Sequence, residues 1–427
     1  MRWSGRNSVS RRSFAGLLTV LALAAGLLHA GGRERVVVDR GGGGDFWTIQ
    51  GALDSLPADV PVMILVRNGL YREKVFIRRS NVTLVGESRD STRIVYPVLR
   101  EEWNRDHQGS DWGAGTVNID TGVSEITLAN LTVLNNHGSL YGTYNKHQFA
   151  VRGAGTRIVL LHCAIRSDGG DALSLWNRQT GMYYHASCLF EGWVDFVCPR
   201  GWCYVTGSTF FGHNRPSASL WHDGSFRRDQ KFVITDSFFD GVSGFPLGRN
   251  HLDAQIYLVR CRFSANMADR PFYRPPSSPR EWAWGARHYF WDCHRDGGDY
   301  RWFADNLETA EGSPRAGEIT ARWTFDGMWN PEESLGGIVP FAIGPFPAAR
   351  ARGIPADGVH LGWVSARDAV SYRVSFGTSE TPEVKGVVTE CSYRPGPLAR
   401  KTIYYWRVDA ISQSGISPGE LWSFHTE

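Results

Sequence analysis

The 427-residue chain carries 46 basic and 43 acidic residues, with 42% hydrophobic and 21% charged side chains, an ordinary balance for a globular protein with room for more than one domain. The slight basic excess belongs to Arg2, Arg6, Arg11 and Arg12 near the start, so the remainder is close to neutral and carries no nucleic-acid footprint. The 48 glycines and 13% aromatics suit a turn-rich β protein with rings available for carbohydrate contact, and seven cysteines without compact spacing argue against a disulfide framework.

Residues 1–30 read as an export signal. A basic leader precedes an apolar run from Ala15 to Leu28, too short to span a bilayer comfortably. Ser10-Arg11-Arg12-Ser13-Phe14 has the twin-arginine pattern of a bacterial signal for folded cargo. An uncleaved membrane anchor is the alternative. With the signal removed no membrane span is expected, and the mature protein would be secreted or periplasmic. The next segment, VVVDRGGGGDFWTIQGALDSLP, is a strand, a glycine turn and a short helix at 49–57 that would cap the end of a stack.

From there short apolar runs recur. Asn130-Leu131-Thr132-Val133, His162-Cys163-Ala164-Ile165, Ser187-Cys188-Leu189-Phe190, Gly207-Ser208-Thr209-Phe210, Ser237-Phe238-Phe239 and Arg260-Cys261-Arg262-Phe263 each follow a β-rich stretch and precede a turn. Strand–turn units repeating at this soft period predict an all-β solenoid, a right-handed parallel β-helix, rather than a sandwich with frequent hairpins. Small residues at one repeat position then stack as an internal ladder, which makes Cys163, Cys188 and Cys261 packing residues. Pairing of Cys198 with Cys203 across a turn, or metal binding by them, is weakly supported, and the scattered His222, Asp223 and His251 show no metal-ligand spacing. No metal or cofactor is expected. The run from Arg227 to Lys231 reads as a solvated loop.

Gln148, Asp171 and Asp195 are separated by about two dozen residues each, one coil of the repeat. They would occupy adjacent rungs of one face, roughly 5 Å apart. Two carboxylates that close do not both ionise cheaply, so one is pushed toward the neutral acid unless a cation intervenes. Arg249 lies about two coils further on and is the candidate cation. A carboxylate paired with arginine can serve as a nucleophile, its neighbour as general acid and then base, and an amide such as Gln148 as an oxyanion donor. That set suits ester hydrolysis. Spacing alone fits a structural polar ladder equally well.

After Trp329-Asn330-Pro331 the pattern changes. The expected boundaries are a solenoid over 33–335, a proline- and alanine-rich linker over 336–355 and a small β-sandwich over 356–427. Strict alternation at 402–410 marks a half-buried strand. The last segment resembles a fibronectin type III module, with Trp363 as its core tryptophan and Tyr404 at the tyrosine-corner position. It carries no catalytic group and suits spacing or adhesion.

The solenoid resembles the pectin methylesterase (pectinesterase) family from about Val36 to about residue 300. The resemblance is carried by the opening segment, by GLYREKVFI (69–77), NVTLVGES (81–88), ITLANLTVLNN (126–136), HQFAVRG (147–153), DALSLW (171–176), GWVDFV (192–197) and LGRN (247–250), in that order and spacing. It implies that Asp195 is the nucleophile, Asp171 the general acid/base, Gln148 a donor to the oxyanion and Arg249 the partner of the nucleophile. It also implies no metal and no organic cofactor.

Three departures stand out. The family's second glutamine, just before the acid/base aspartate, is Gly170 here, and loss of one oxyanion donor can cost on the order of 10²-fold in rate. Phe196-Val197-Cys198-Pro199 replaces Phe-Ile-Phe-Gly, and Asn250-His251 replaces Pro-Trp after the glycine-arginine. Trp176, Trp193, Trp221 and His251 are therefore the candidates for substrate contact, with Trp202 a further tryptophan that could substitute. The expected partner is pectin or a related polysaccharide, and the expected protein a monomer. Two alternatives keep the fold: a β-helix enzyme acting on another glycan ester or, because paired carboxylates about 5 Å apart also suit it, a glycosidic bond; or a non-catalytic glycan-binding protein.

Overall fold

The computed structural model describes residues 34–427 apart from 59, 223–226, 279–280, 286, 335–340, 348, 367 and 414. The predicted export signal and Asp223 lie outside the described residues. No helix among the described residues is long and apolar enough to cross a membrane.

Three parallel sheets of ten, nine and seven strands form the solenoid. One coil shows the plan. Thr156–Leu161 joins the ten-stranded sheet, Ala164–Ser167 the nine-stranded sheet and Leu173–Trp176 the seven-stranded sheet, after which Met182–Ala186 returns to the first. Each strand pairs in parallel with its counterpart one coil away, as Ile158 does with Tyr183 and Leu173 with Val197. Because every backbone group within a coil bonds to the coils above and below, only the stack's two ends need covering. Helix α1 (Ile49–Ser55), capped by the Thr48 side chain, covers the first end as expected and packs Ile49, Ala52 and Leu53 into the core.

The corner between the ten- and nine-stranded sheets is made by one residue in the left-handed region per coil: Asn130, His162, Ser187, Gly207, Asp236, Arg260 and Asp292, all with φ near 50°. A non-glycine residue there costs roughly 1 kcal/mol, and neighbouring coils offset it with hydrogen bonds. The Asn130 amide donates to Gly86 O and Glu87 O, and its oxygen meets His162 Nδ1 at 3.0 Å. The next residue in each coil points inward. Cys163, Cys188, Cys261 and Cys293 occupy that row, fully buried or nearly so, each thiol donating to a carbonyl of the preceding coil. All seven cysteines are unbridged, so the ladder reading holds and a Cys198–Cys203 bridge does not form. One row further in, Phe190, Phe210, Phe239 and Phe263 stack at centroid spacings of 5.2, 4.3 and 5.5 Å.

Beyond the last coil the chain folds back over the outer face of the ten-stranded sheet. Leu307, Ile319, Ala321 and Phe325 cover Val159, Leu161, Tyr184 and Trp202 there. This return explains two departures from expectation. Gln230 and Lys231, read as part of a solvated loop, are buried, because Lys231 Nζ pairs with Asp326 of the returning segment. Trp202 is also buried, its indole N–H donating to Asp326 at 3.0 Å, so it faces this cover and not a substrate.

The C-terminal part is a two-sheet β structure around Trp363, Tyr372, Trp406, Trp422 and Phe424. Tyr404 accepts a hydrogen bond from Ala399 N at 2.9 Å, the contact a tyrosine corner makes. The expected linker is shorter than composition suggested. Ile343–Phe346 and Ala351–Ile354, within 336–355, are strands paired with Leu361–Val364 and Leu421–Thr426. The partner of Ala351–Ile354 is distant in sequence, and neither pairing could be revealed by local proline and alanine content.

Candidate active site

The site lies where the chain enters the seven-stranded sheet. On this sheet Val151, Leu173, Val197 and Leu220 point into the core. The alternate residues therefore face outward: Arg152, Ser174, Cys198, Trp221 and Arg249 share one row, and Trp176 and Arg200 the next. Asp171 and Asp195 sit just before the first strand residues of consecutive coils, tied by Asp171 N donating to Val194 O at 2.9 Å and Asp195 N to Ala218 O at 2.7 Å. Both adopt left-handed backbone, φ 59° and 50°, which aspartate tolerates better than most residues. The two carboxylates are thus one rung apart, as their spacing predicted.

Their environments differ. Arg249 reaches back across the sheet and forks onto Asp195, Nε donating to Oδ1 at 2.9 Å and Nη2 to Oδ2. Two charge-assisted bonds from one guanidinium favour the ionised carboxylate and fix its orientation. Asp171 receives no such fork. Its side chain is 2% exposed; among the described residues Oδ1 has no hydrogen-bond partner, and Oδ2 lies 3.8 Å from His147 Nε2. Burial is the main cause that raises its pKa to about 7, and the charge of Asp195 adds to it. His147, Arg100 and Arg200 pull the other way. One ionised carboxylate beside one neutral acid is the division of labour that an acyl-transfer site needs.

Gln148 is on the preceding coil, as expected, and fully buried. Its carbonyl accepts from Gly138 N at 2.7 Å and its amide donates to Thr143 O at 2.7 Å, so it clamps the loop that holds helix α3 (His137–Tyr141). The second amide proton meets only the Thr143 hydroxyl at 3.5 Å. At Gly170 a Cβ would stand 2.5 Å from Val194 Cγ1 and 2.9 Å from Val194 O, so the coils pack too closely for the family's glutamine.

Around the acids, rings and guanidinium groups alternate. Arg152 and Arg200 lie 4.1 and 3.7 Å from the Trp176 ring, and Arg200 and Arg249 each 5.7 Å from Trp221. His251 packs edge-on against Trp221 at 4.9 Å, and Trp193 pairs with Tyr144 at 5.2 Å and with His213 at 5.7 Å. Trp176 and Trp221 thus lie on the outward face of the seven-stranded sheet, while Trp193 and His251 are each two residues along the chain from Asp195 and Arg249. His222 differs: it is buried against Phe232, a core residue and not a groove one. Sequence pattern did not single out Arg152, Arg200, His147 or the cluster in which Asp111 binds Arg100 at 2.7 Å and Asn104 at 3.0 Å. Strand alternation past Trp176 would have found Arg200; residues 100–111, a two-turn helix and the turn after it, are too short to carry a periodic signal. Among the described residues no cluster of three or more His, Cys, Asp or Glu side chains is placed to hold a metal ion.

Comparison with known proteins agrees with this geometry. Residues 35–217 match the family model described as Pectinesterase. The chain is 30% identical over 172 residues to probable pectinesterase 55 of Arabidopsis thaliana, covering 39% of this chain and 48% of that protein. It is 32% identical over 131 residues to pectinesterase A of Dickeya dadantii, covering 29% and 35%. It thus spans about half, or less, of the length of these curated relatives. Among solved structures, the pectin methylesterase of Erwinia chrysanthemi superposes with a TM-score of 0.56 at 19% identity, over 70% of this chain and 98% of that one. The carrot pectin methylesterase gives 0.52 at 18%, over 71% and 98%. The likeness covers the β-helix: its first part matches the pectinesterase family model, and its fold is that of the pectin methylesterase structures.

Proposed function

We propose that the chain is an exported carbohydrate esterase that hydrolyses the methyl esters of polygalacturonate through an acyl-enzyme on Asp195. Asp195, oriented by Arg249, attacks the ester carbonyl. The oxyanion is met by the remaining N–H of Gln148. As the tetrahedral species collapses, the C–O bond to the methoxy group breaks and neutral Asp171 supplies the proton that leaves with methanol. Asp171, now an anion, takes a proton from water, whose hydroxide attacks the acyl carbonyl. The Asp195–acyl bond breaks, returning the Asp195 carboxylate, and the galacturonic acid departs and loses its proton to solvent, with Asp171 already reprotonated by the water. Each role uses the charge state the environment favours.

Alternating arginine and tryptophan beside the acids suits a polymer that is both ring-rich and anionic where already de-esterified. Trp176, Trp221, Trp193 and His251 are the proposed contacts. The C-terminal sandwich, proposed to be fibronectin type III-like, serves as a spacer or adhesion module, and the protein acts as a monomer.

The observation that carries this reading is the pairing of an arginine-forked carboxylate with a buried neighbour of raised pKa one rung away. The test is product analysis on highly methylated pectin. Methanol release matched by new carboxylates, with chain length unchanged, is expected. New reducing ends without methanol would assign the site to glycosidic cleavage, and binding without either product would assign a binding protein.

A further inference from the structure

Among the described residues, the ion-pair neighbour of Asp171 is one partly exposed side chain, His147. His147 is the residue directly before Gln148, and the backbone places it opposite Gly170, one rung from the acid. Its Nε2 lies 3.8 Å from Asp171 Oδ2 and its Nδ1 3.1 Å from Glu101 Oε1. The exposures run in order: the Glu101 side chain is 48% accessible, His147 41% and Asp171 2%. The partly exposed ring therefore lies beside a buried carboxyl group, one of whose oxygens has no hydrogen-bond partner among the described residues.

The placement of this ring is specified rather than incidental. Helix α2 (Arg100–Asp106) begins with Arg100 N donating to the His147 carbonyl at 3.0 Å, which locks the helix onto the His147 backbone. Glu101, in the first turn, then reaches His147 Nδ1 from above. Asp111 holds Arg100 and Asn104 and so fixes the helix itself. With Nδ1 on Glu101, the Nε2 side of the ring is directed at Asp171. The hydrogen bond from His147 helps hold the Glu101 carboxyl below its usual range.

We infer that His147, held by Glu101, is a positioning residue for the general acid: its imidazolium stabilises the Asp171 anion that remains once the proton has left with methanol, and it exchanges protons between that carboxyl and water. The inference rests on the esterase reading above. The charged groups facing Asp171 are His147 and Arg100 from the preceding loops, Asp195 on the next coil and Arg200 on the following strand. Those facing His147 are Glu101 and Asp171. Of these side-chain types, imidazole is the one that commonly changes charge near neutral pH.

The sign follows from the cycle. Acylation needs protonated Asp171, so kcat/KM falls as pH rises through its pKa. Loss of the imidazolium removes a term that favours the anion, so the alkaline limb moves upward while kcat drops, because the anion needed for deacylation is less well stabilised.

The test uses the full chain with methylated pectin. In His147→Gln the alkaline limb of kcat/KM is expected to move up by about 0.5–1 pH unit and kcat to fall by ~10-fold. Glu101→Gln is expected to shift the limb in the same direction by less. A second readout needs no turnover: the His147 ring titration followed by NMR is expected to move down in Asp171→Asn and in Glu101→Gln. A limb that superposes on wild type in His147→Gln, or a His147 titration indifferent to Asp171→Asn, overturns the inference. Absence of methanol release by the wild type would overturn the esterase reading instead, and the NMR titration would still decide whether the two groups are coupled.

Discussion

At the scale of single residues, the arrangement of the candidate site was largely legible because the proposed chemistry calls for particular side chains one coil apart. The spacing of Asp171 and Asp195 gave adjacent rungs, and Arg249 forks onto Asp195 as expected. Less legible was what surrounds them. Gln148 spends most of its amide on the loop at 137–143, a contact between segments whose proximity depends on the coil geometry. The glycine at 170 looked like a lost donor, whereas the structure gives it a steric reason. Gly170→Gln is expected to cost about 1–3 kcal/mol by overpacking Val194, and to leave kcat no higher than wild type; thermal denaturation and methanol assays check both halves. The buried acid also makes a stability prediction. Below pH 3.8 both folded and unfolded Asp171 hold their proton. Between there and about 7 the unfolded carboxyl ionises while the folded one does not, so stability falls by up to ~4 kcal/mol and levels off above. Asp171→Asn is expected to flatten that fall, which denaturant titrations at pH 4 and pH 8 would measure.

At the scale of elements, the solenoid was readable from one recurring position. Each coil turns on a left-handed residue, and the next places a small side chain inside, so Cys163, Cys188 and Cys261 fall in register with no bridge between them. The inner phenylalanine stack was implied by the same runs. Phe210 has neighbours on both sides in that stack, at 5.2 and 4.3 Å, and its removal would leave a cavity two coils wide. Phe210→Ala is expected to destabilise by ~3–5 kcal/mol in urea unfolding while the strand signal in circular dichroism at low denaturant is kept. What the repeat could not disclose were the inserted elements, helices α2 and α3, because a single short helix that is anchored by tertiary contacts has too few turns to show a period. These inserts carry Glu101 and cover Gln148, and so matter more to the site than their length suggests.

At the scale of the whole molecule, the solenoid and the C-terminal sandwich are joined by packing and polar contacts rather than by a free tether. Ile343 and Val364 pack with the covered outer face of the ten-stranded sheet, and Glu420 accepts from Arg89 N at 3.1 Å. A crevice of about 280 Å³ remains between Asp236, Arg260 and Arg262 on one side and Phe346, Ile354 and His360 on the other. None of this was visible in composition, which marked the junction as a linker because strand pairing does not show in local proline and alanine content. The proposed catalytic groups belong to the seven-stranded sheet and the turns leading into it, away from this crevice, so on that proposal the sandwich adds no group to the reaction. The account as a whole stands on Asp195 being the group that is acylated. Methanol release from methylated pectin at pH 6 by Asp195→Asn, set beside wild type with folding verified, tests this most directly. A fall of more than ~10³-fold with pectin still bound is predicted. Turnover within a few-fold of wild type would contradict it.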